Sequence, residues 1–201
     1  MTKVFISHTR KDKDLCDDID RISSRVGIVS FRSEFETIPL PAWKVIRKEL
    51  NQSSALFLAI GRELVKNTGR NDPSWKFTQN WISFEVGIAC QLGIDIWAIC
   101  EEGISMNFPV PYVNNYISGR FKDKNDDGFM ILKASFEDYK NRINFKYPFS
   151  KCGRPVGVSC PNFNCKLEFN LFNVIPRGGT IRCPQCLRDM TFPNGHYLKC
   201  A

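Results

Sequence analysis

Ala55-Leu56-Phe57-Leu58-Ala59-Ile60 is six apolar residues in a row with no polar alternation. A strand with one face in water alternates; an unbroken run suits a strand covered on both faces, as in a parallel sheet flanked by helices. Upstream, Val4-Phe5-Ile6 is a second short apolar run, ending in polar Ser7-His8. Between the two, Leu15, Ile19, Ile22 and Val26 recur at helical spacing, Gly27 breaks the pattern, and Ile28 to Phe31 reads as a strand. A loop with Pro39 and Pro41 then leads into a helix through Trp43, Ile46 and Leu50. Downstream, Trp81, Phe84, Ile88 and Leu92 mark another helix, Ile94 to Cys100 a fourth strand, and Leu132 to Ile143 a last helix. The order βαβαβαβ calls for a doubly wound α/β sheet, which binds ligands beyond the carboxyl ends of its strands.

The chain has 201 residues and is 43% hydrophobic and 24% charged, a globular profile. No apolar run approaches the roughly 18 residues of a membrane span. The start, Met1 to Asp14, lacks the apolar core of a signal peptide, so a cytoplasmic address and no membrane partner are expected. In a reducing compartment clustered cysteines point to metal rather than disulfides. Six of the nine cysteines fall in the last 50 residues. Residues 1–150 carry a net charge of +2 and residues 151–201 a net of +5. Both changes place a domain boundary near Lys151, giving an α/β domain over 1–150 and a small module over 151–201.

Three stretches carry a family resemblance. Lys3 to Leu15 resembles the opening strand and first loop of TIR domains. Phe31 to Gly61 resembles the second strand, BB loop, following helix and third strand. Thr78 to Trp97 resembles the catalytic helix and fourth strand of bacterial and archaeal members. The resemblance spans about residues 3 to 145 and implies a flavodoxin-like, TIR-like doubly wound parallel sheet. The segment after Glu101 is only loosely similar, and the BB loop has Ile38-Pro39-Leu40-Pro41 where many members carry a glycine.

The resemblance also implies chemistry. In TIR enzymes the glutamate matching Glu85 is required to cleave the nicotinamide–ribose bond of NAD. Trp81 and Glu85 stand at i and i+4 and so share a helix face, with Phe84, Ile88 and Leu92 expected to form the buried stripe beside them. A single carboxylate suffices for this reaction, because nicotinamide leaves a pyridinium as a neutral molecule and needs no general acid. What remains is an oxocarbenium-like ribosyl centre that a carboxylate stabilises. A glutamate with the ordinary pKa of about 4.3 is ionised at neutral pH unless it is strongly desolvated. Ser7 and His8 at the first strand end, and Phe31, Arg32 and Ser33 entering the BB loop, are candidate substrate contacts together with Trp81. Arg32 suits a diphosphate. Trp43 reads as helix-core packing.

Asp123 to Gly128 matches the first half of an EF-hand loop, but the twelfth position is Ala134 rather than glutamate, so a surface turn is expected. The tail is more specific. Cys160-Pro-Asn-Phe-Asn-Cys165 and Cys183-Pro-Gln-Cys186 form two knuckles with 17 residues between the inner cysteines, a spacing suited to tetrahedral Zn2+ in a structural zinc ribbon. Leu167 to Leu171 alternates like a strand, and Arg177-Gly178-Gly179 turns into another at Thr180-Ile181-Arg182. Cys152, His196 and Cys200 are substitutes should one ligand differ. The module's charge with Phe163, Phe169, Phe172, Phe192 and Tyr197 permits nucleic-acid contact; the plainer alternative is that the aromatics form a small core.

The resemblance therefore implies an NAD glycohydrolase or cyclase that yields ADP-ribose or a cyclic or rearranged nucleotide, acting in immune (antiphage) defence. It also implies a homo-oligomer through TIR–TIR contacts, with Phe35, Ile38, Pro39 and Leu40 giving the BB loop an apolar tip. The rival is a non-enzymatic TIR adaptor whose ribbon recruits partners. A nucleoside-processing transferase is a third reading, because related α/β folds also cleave N-glycosidic bonds.

Overall fold

The computed structural model describes residues 1–32, 41–67, 73–104, 106, 110, 112–143 and 156–196. Its elements run β1 (Lys3–Ser7), a 3-10 turn (Arg10–Asp12), α1 (Lys13–Arg25), β2 (Val29–Arg32), α2 (Ala42–Asn51), β3 (Ala55–Ile60), α3 (Arg62–Asn67), α4 (Pro73–Leu92), β4 (Asp95–Glu101), β5 (Asn115–Gly119), α5 (Asp127–Ile143), β6 (Val156–Ser159), β7 (Glu168–Leu171), β8 (Gly179–Arg182) and β9 (Asp189–Phe192). Ser33, Phe35, Ile38, Pro39, Leu40, Cys152, Tyr197 and Cys200 lie outside the described residues. No helix among the described residues is long and apolar enough to cross a membrane.

Seven strands form one sheet in the order β2-β1-β3-β4-β5-β7-β6, and all pairs are parallel except β6 with β7. The first five strands follow the flavodoxin-like order 2-1-3-4-5, whose switch point lies between β1 and β3. As the unbroken apolar run requires, every residue of β3 is buried. One face packs on α1 and α5 through Val4, Ile6, Ile19, Ile22, Phe57, Trp97 and Phe136. The other packs on α2 and α4 through Phe5, Ile46, Leu50, Leu56, Leu58, Val86 and Ala89.

Two features depart from the sequence-based expectation. β5 is an additional parallel strand, and among the described residues no helix joins β4 to it. The cysteine-rich tail is also not a separate body. β7 pairs with β5, Phe172 N–H donates to the Tyr116 carbonyl at 3.1 Å, and the Asn173 side chain bonds both the N–H and the carbonyl of Ser118 at 2.9 and 2.8 Å. Cys160, Phe169, Cys183 and Met190 belong to the same apolar cluster as Leu56 and Val86. The change of composition at residue 151 therefore marks a change of role, not a division between two cores. Val110 N–H donates to the Pro184 carbonyl at 2.8 Å, tying the second knuckle to the segment between β4 and β5.

Close backbone packing joins β5 to α5. A Cβ on Gly128 would stand 2.5 Å from the Arg120 carbonyl oxygen, a backbone atom that cannot rotate away, whereas Gly87 on α4 faces open space. Gly128→Ala is expected to destabilise the chain by about 1–3 kcal/mol through overpacking. Gly87→Ala should stabilise it by about 0.5–1 kcal/mol by removing a helix-interior glycine. Urea unfolding of both variants checks the pair, and equal shifts would show that the β5–α5 approach is not tight.

Asp123 to Asp126 form the expected turn, and Asp127 and Gly128 already open α5. Asn125 N–H donates to Asp123 Oδ1 and Asp123 N–H to Asp126 Oδ2, each at 2.8 Å, so these oxygens organise the entry to α5.

Candidate active site and cysteine centre

β1 alternates its side chains between the two sheet faces, so Phe5 and Ser7 face α4 while Val4 and Ile6 face α1. Ser7 is the last residue of β1 and is fully buried, beside the switch point. Opposite it, α4 presents Glu85, only 1% exposed. Ser7 Oγ–H donates to Glu85 Oε2 at 2.5 Å. A carboxylate this deep in an apolar cluster is costly to leave in place for stability alone, which singles it out on α4.

The helix sits differently from the expected stripe. Its inward residues are Ile82, Glu85, Val86 and Ala89, while Phe84 is 38% and Leu92 37% exposed. The expected face is turned because Glu85 itself occupies the buried side. Trp81 is half-buried and flanked by exposed rings. Phe77 stacks at 6.1 Å with planes 8° apart, and Phe84 is tilted at 5.7 Å. α4 thus carries an aromatic ladder next to the buried carboxylate, of which the sequence pattern named only Trp81 as a contact.

The other candidates divide between the faces. Phe31 is half-buried on the Glu85 face, its ring 5.5 Å from that of Phe5. His8 follows β1 and is half-buried, with Nδ1 3.4 Å from the Ile6 carbonyl oxygen. Arg32 is on the opposite face. Its guanidinium donates to Asp17 Oδ1 at 2.5 Å, Asp20 Oδ2 at 3.0 Å and the Cys16 carbonyl at 3.2 Å. Those acids on α1 already neutralise it, so the expectation that Arg32 meets a diphosphate beside Glu85 is corrected. The strand period of two contained that information: Phe31 and Arg32 are neighbours and cannot share a face. Trp43 is corrected as well, being 47% exposed rather than core.

The carboxyl edge holds one more buried acid. Asp12 accepts hydrogen bonds from the N–H groups of Glu63 and Leu64, both at 2.9 Å, and so caps α3. Burial raises its pKa against the effect of those bonds. Gly61 is needed beside it, because a Cβ there would stand 2.3 Å from Asp12 Cγ.

At the far end of the Glu85 face, the Sγ atoms of Cys160, Cys165, Cys183 and Cys186 all lie within 4.8 Å of one another. Cys160 to Cys186 is 3.6 Å and Cys165 to Cys183 is 3.7 Å. Disulfide sulfurs stand about 2.05 Å apart. Zinc–thiolate bonds of about 2.3 Å put tetrahedral sulfurs about 3.8 Å apart. The cluster therefore fits a metal ion such as zinc. Each knuckle ends on a residue in the left-handed region, Lys166 at φ 50° and Leu187 at φ 60°, which turns the chain back over the sulfurs. Burial pushes the Cys183 thiol up to about 12. At Cys186 burial is outweighed by hydrogen bonds from Asn162, Arg188 N–H and neighbouring thiols, which lower it to about 6. His196 does not substitute for any of the four cysteines: its Nε2 lies 3.3 Å from the Leu171 carbonyl oxygen. Of the module's aromatics among the described residues, Phe169 and Phe172 are core, Phe192 is half-buried and Phe163 is 81% exposed.

Neither a family model nor a curated protein matches this chain. Among solved structures, a 2-desoxiribosyltransferase from Leishmania mexicana aligns with a TM-score of 0.38 and 12% identity, over 53% of this chain and 69% of that one. So low a score says nothing about chemistry.

Proposed function

We propose that the chain is an enzyme that cleaves the nicotinamide–ribose bond of NAD, with Glu85 as the catalytic carboxylate. The observation that carries this reading is the buried Ser7–Glu85 pair at the β1 end of the switch point, where open α/β sheets bind nucleotides. The TIR resemblance supplies the substrate. As the C1′–N bond breaks, its electron pair returns to the pyridinium nitrogen and nicotinamide departs neutral. Glu85 stabilises the positive charge left at C1′. Water then adds to C1′ and releases a proton, giving ADP-ribose; attack by a hydroxyl of the nucleotide itself gives a cyclic product. Ser7 fixes Oε2 of the carboxylate, and the aromatic ladder of α4 offers flat apolar surface for a base. The cysteine centre holds structural zinc and takes no part in the reaction.

Incubation of the purified chain with NAD tests this reading by nicotinamide release. Ser7→Ala removes the hydroxyl that holds the carboxylate, and a hydrogen bond to a charged group contributes about 1.5–3 kcal/mol. A fall in kcat of roughly 10- to 100-fold is expected, with KM little changed. An unchanged kcat would leave Ser7 as a packing residue. Self-association through Phe35, Ile38, Pro39 and Leu40, and a defence role through NAD depletion, belong to the same proposal and are carried by the resemblance alone.

A further inference from the structure

The outer face of α2 is accounted for neither by the fold nor by the Glu85 site. Trp43, Lys44, Arg47, Lys48, Asn51 and Gln52 line a groove of about 400 Å³, and all six are exposed. Trp43 stays 47% exposed although Ala42, Ile46 and Leu50 of the same helix are buried. Lys44 Nζ stands 5.6 Å from the centre of the indole ring. The helix's one acid, Glu49, pairs instead with Lys3 of β1. Lys44, Arg47 and Lys48 have no acidic partner among the described residues. They stand at i, i+3 and i+4, where like charges repel, and Lys44 lies in the first turn, where the helix dipole disfavours a cation. Such a stripe weakens the helix that carries it, so folding does not explain it.

We propose that this face binds single-stranded nucleic acid, with phosphates on Lys44, Arg47 and Lys48 and a base stacked on Trp43. A cationic track beside an open aromatic ring is how single strands are held without sequence readout. Arg47 and Lys48 lie about one helical turn, or about 5.4 Å, beyond Lys44, so the cations meet successive phosphates of an extended polyanion. Asn51 and Gln52 add uncharged donors and acceptors at the end of the track. A lipid surface fits less well, because an interfacial helix must offer its apolar face to the bilayer. The apolar face of α2 is already buried against β1 and α4. An acidic protein would satisfy the cations but gives the indole no matching π face. The proposal is independent of the role of Glu85.

The test is fluorescence anisotropy of labelled single-stranded DNA and RNA of about twelve nucleotides with the full chain. Three phosphate contacts give a slope of about −2 in log K against log salt, a loss of roughly 20-fold between about 50 and 200 mM. Trp43→Ala should weaken binding roughly 10-fold, and Lys44→Glu with Arg47→Glu should abolish it. Lys166→Glu with Arg188→Glu on the cysteine module should leave it unchanged. Glutamine in place of Lys44 and Arg47 should weaken binding in the same direction and guards against misfolding of the charge reversals. Absence of binding at about 50 mM salt, indifference to Trp43→Ala, or loss through the Lys166 and Arg188 pair instead would overturn the proposal. So would tighter binding to vesicles of acidic phospholipid than to either oligonucleotide.

Discussion

On the proposed function, replacing Glu85 with glutamine is expected to lower NAD cleavage by roughly 100- to 1000-fold while the fold survives. That loss corresponds to about 3–4 kcal/mol, the size of one well-placed electrostatic contribution to a transition state. Glutamine is chosen because Ser7 can still donate to its amide oxygen, so the buried contact persists while the negative charge disappears. Alanine would mix two effects, adding a cavity beneath the helix to the loss of charge. The measurement is nicotinamide release by the parent and the variant, with melting temperatures taken in parallel. If the folded variant turns over NAD as fast as the parent, Glu85 is not the catalytic group; the adaptor reading takes its place only if the parent releases no nicotinamide.

With zinc held by the cysteine cluster, replacing Cys183 with serine is expected to release the metal and to destabilise the whole chain, not only its last 50 residues. Cys183 is fully buried and shares an apolar cluster with Leu56, Leu58 and Val86 of the central sheet. Its knuckle is fastened through Pro184 to Val110, and the other knuckle leads into the β6–β7 hairpin that completes the sheet edge. A structural zinc site contributes directly to folding, and for a chain of this length each kcal/mol moves the midpoint by about 2–4 °C. Losing about 5 kcal/mol thus lowers it by about 10–20 °C, seen by far-ultraviolet circular dichroism with metal content measured beside it. A metal-free variant whose sheet melts at the parent's temperature would show that the two halves are energetically separate.

β1, β3 and β4 were legible because each holds a short apolar run, β3 most of all because both its faces are covered, whereas β2 was legible from the Gly27 break before it. β5 was not. Asn115-Tyr116-Ile117-Ser118-Gly119 has two apolar residues among polar ones, and its identity as a strand comes from pairing with β4 and β7, contacts between segments distant in sequence. The same reason hid the continuity of the sheet into the tail, where the knuckle spacing announced a metal site but not where it would dock. On α4, Trp81, Ile82, Phe84, Val86 and Ile88 crowd the helix with apolar residues all round. A glutamate on the inner face therefore left the choice of face undecided by pattern alone. Trp43 was misassigned because helical spacing to Ile46 and Leu50 does not distinguish the flank of an apolar stripe from its centre.

The docking of β7 onto β5 also sets a timetable for synthesis. When a ribosome has made the chain as far as Gly119, β5 can pair with β4 on one side but has nothing on the other. Its partner is still unmade: at about 5–20 residues per second, Leu171 follows Gly119 by roughly 3–10 s. During that interval the nascent chain carries an open strand edge beside an uncovered apolar surface, the arrangement most prone to pairing with a stranger. Cys183 and Cys186, whose knuckle helps close that surface, come later still, so the surface stays open after the strand edge has closed.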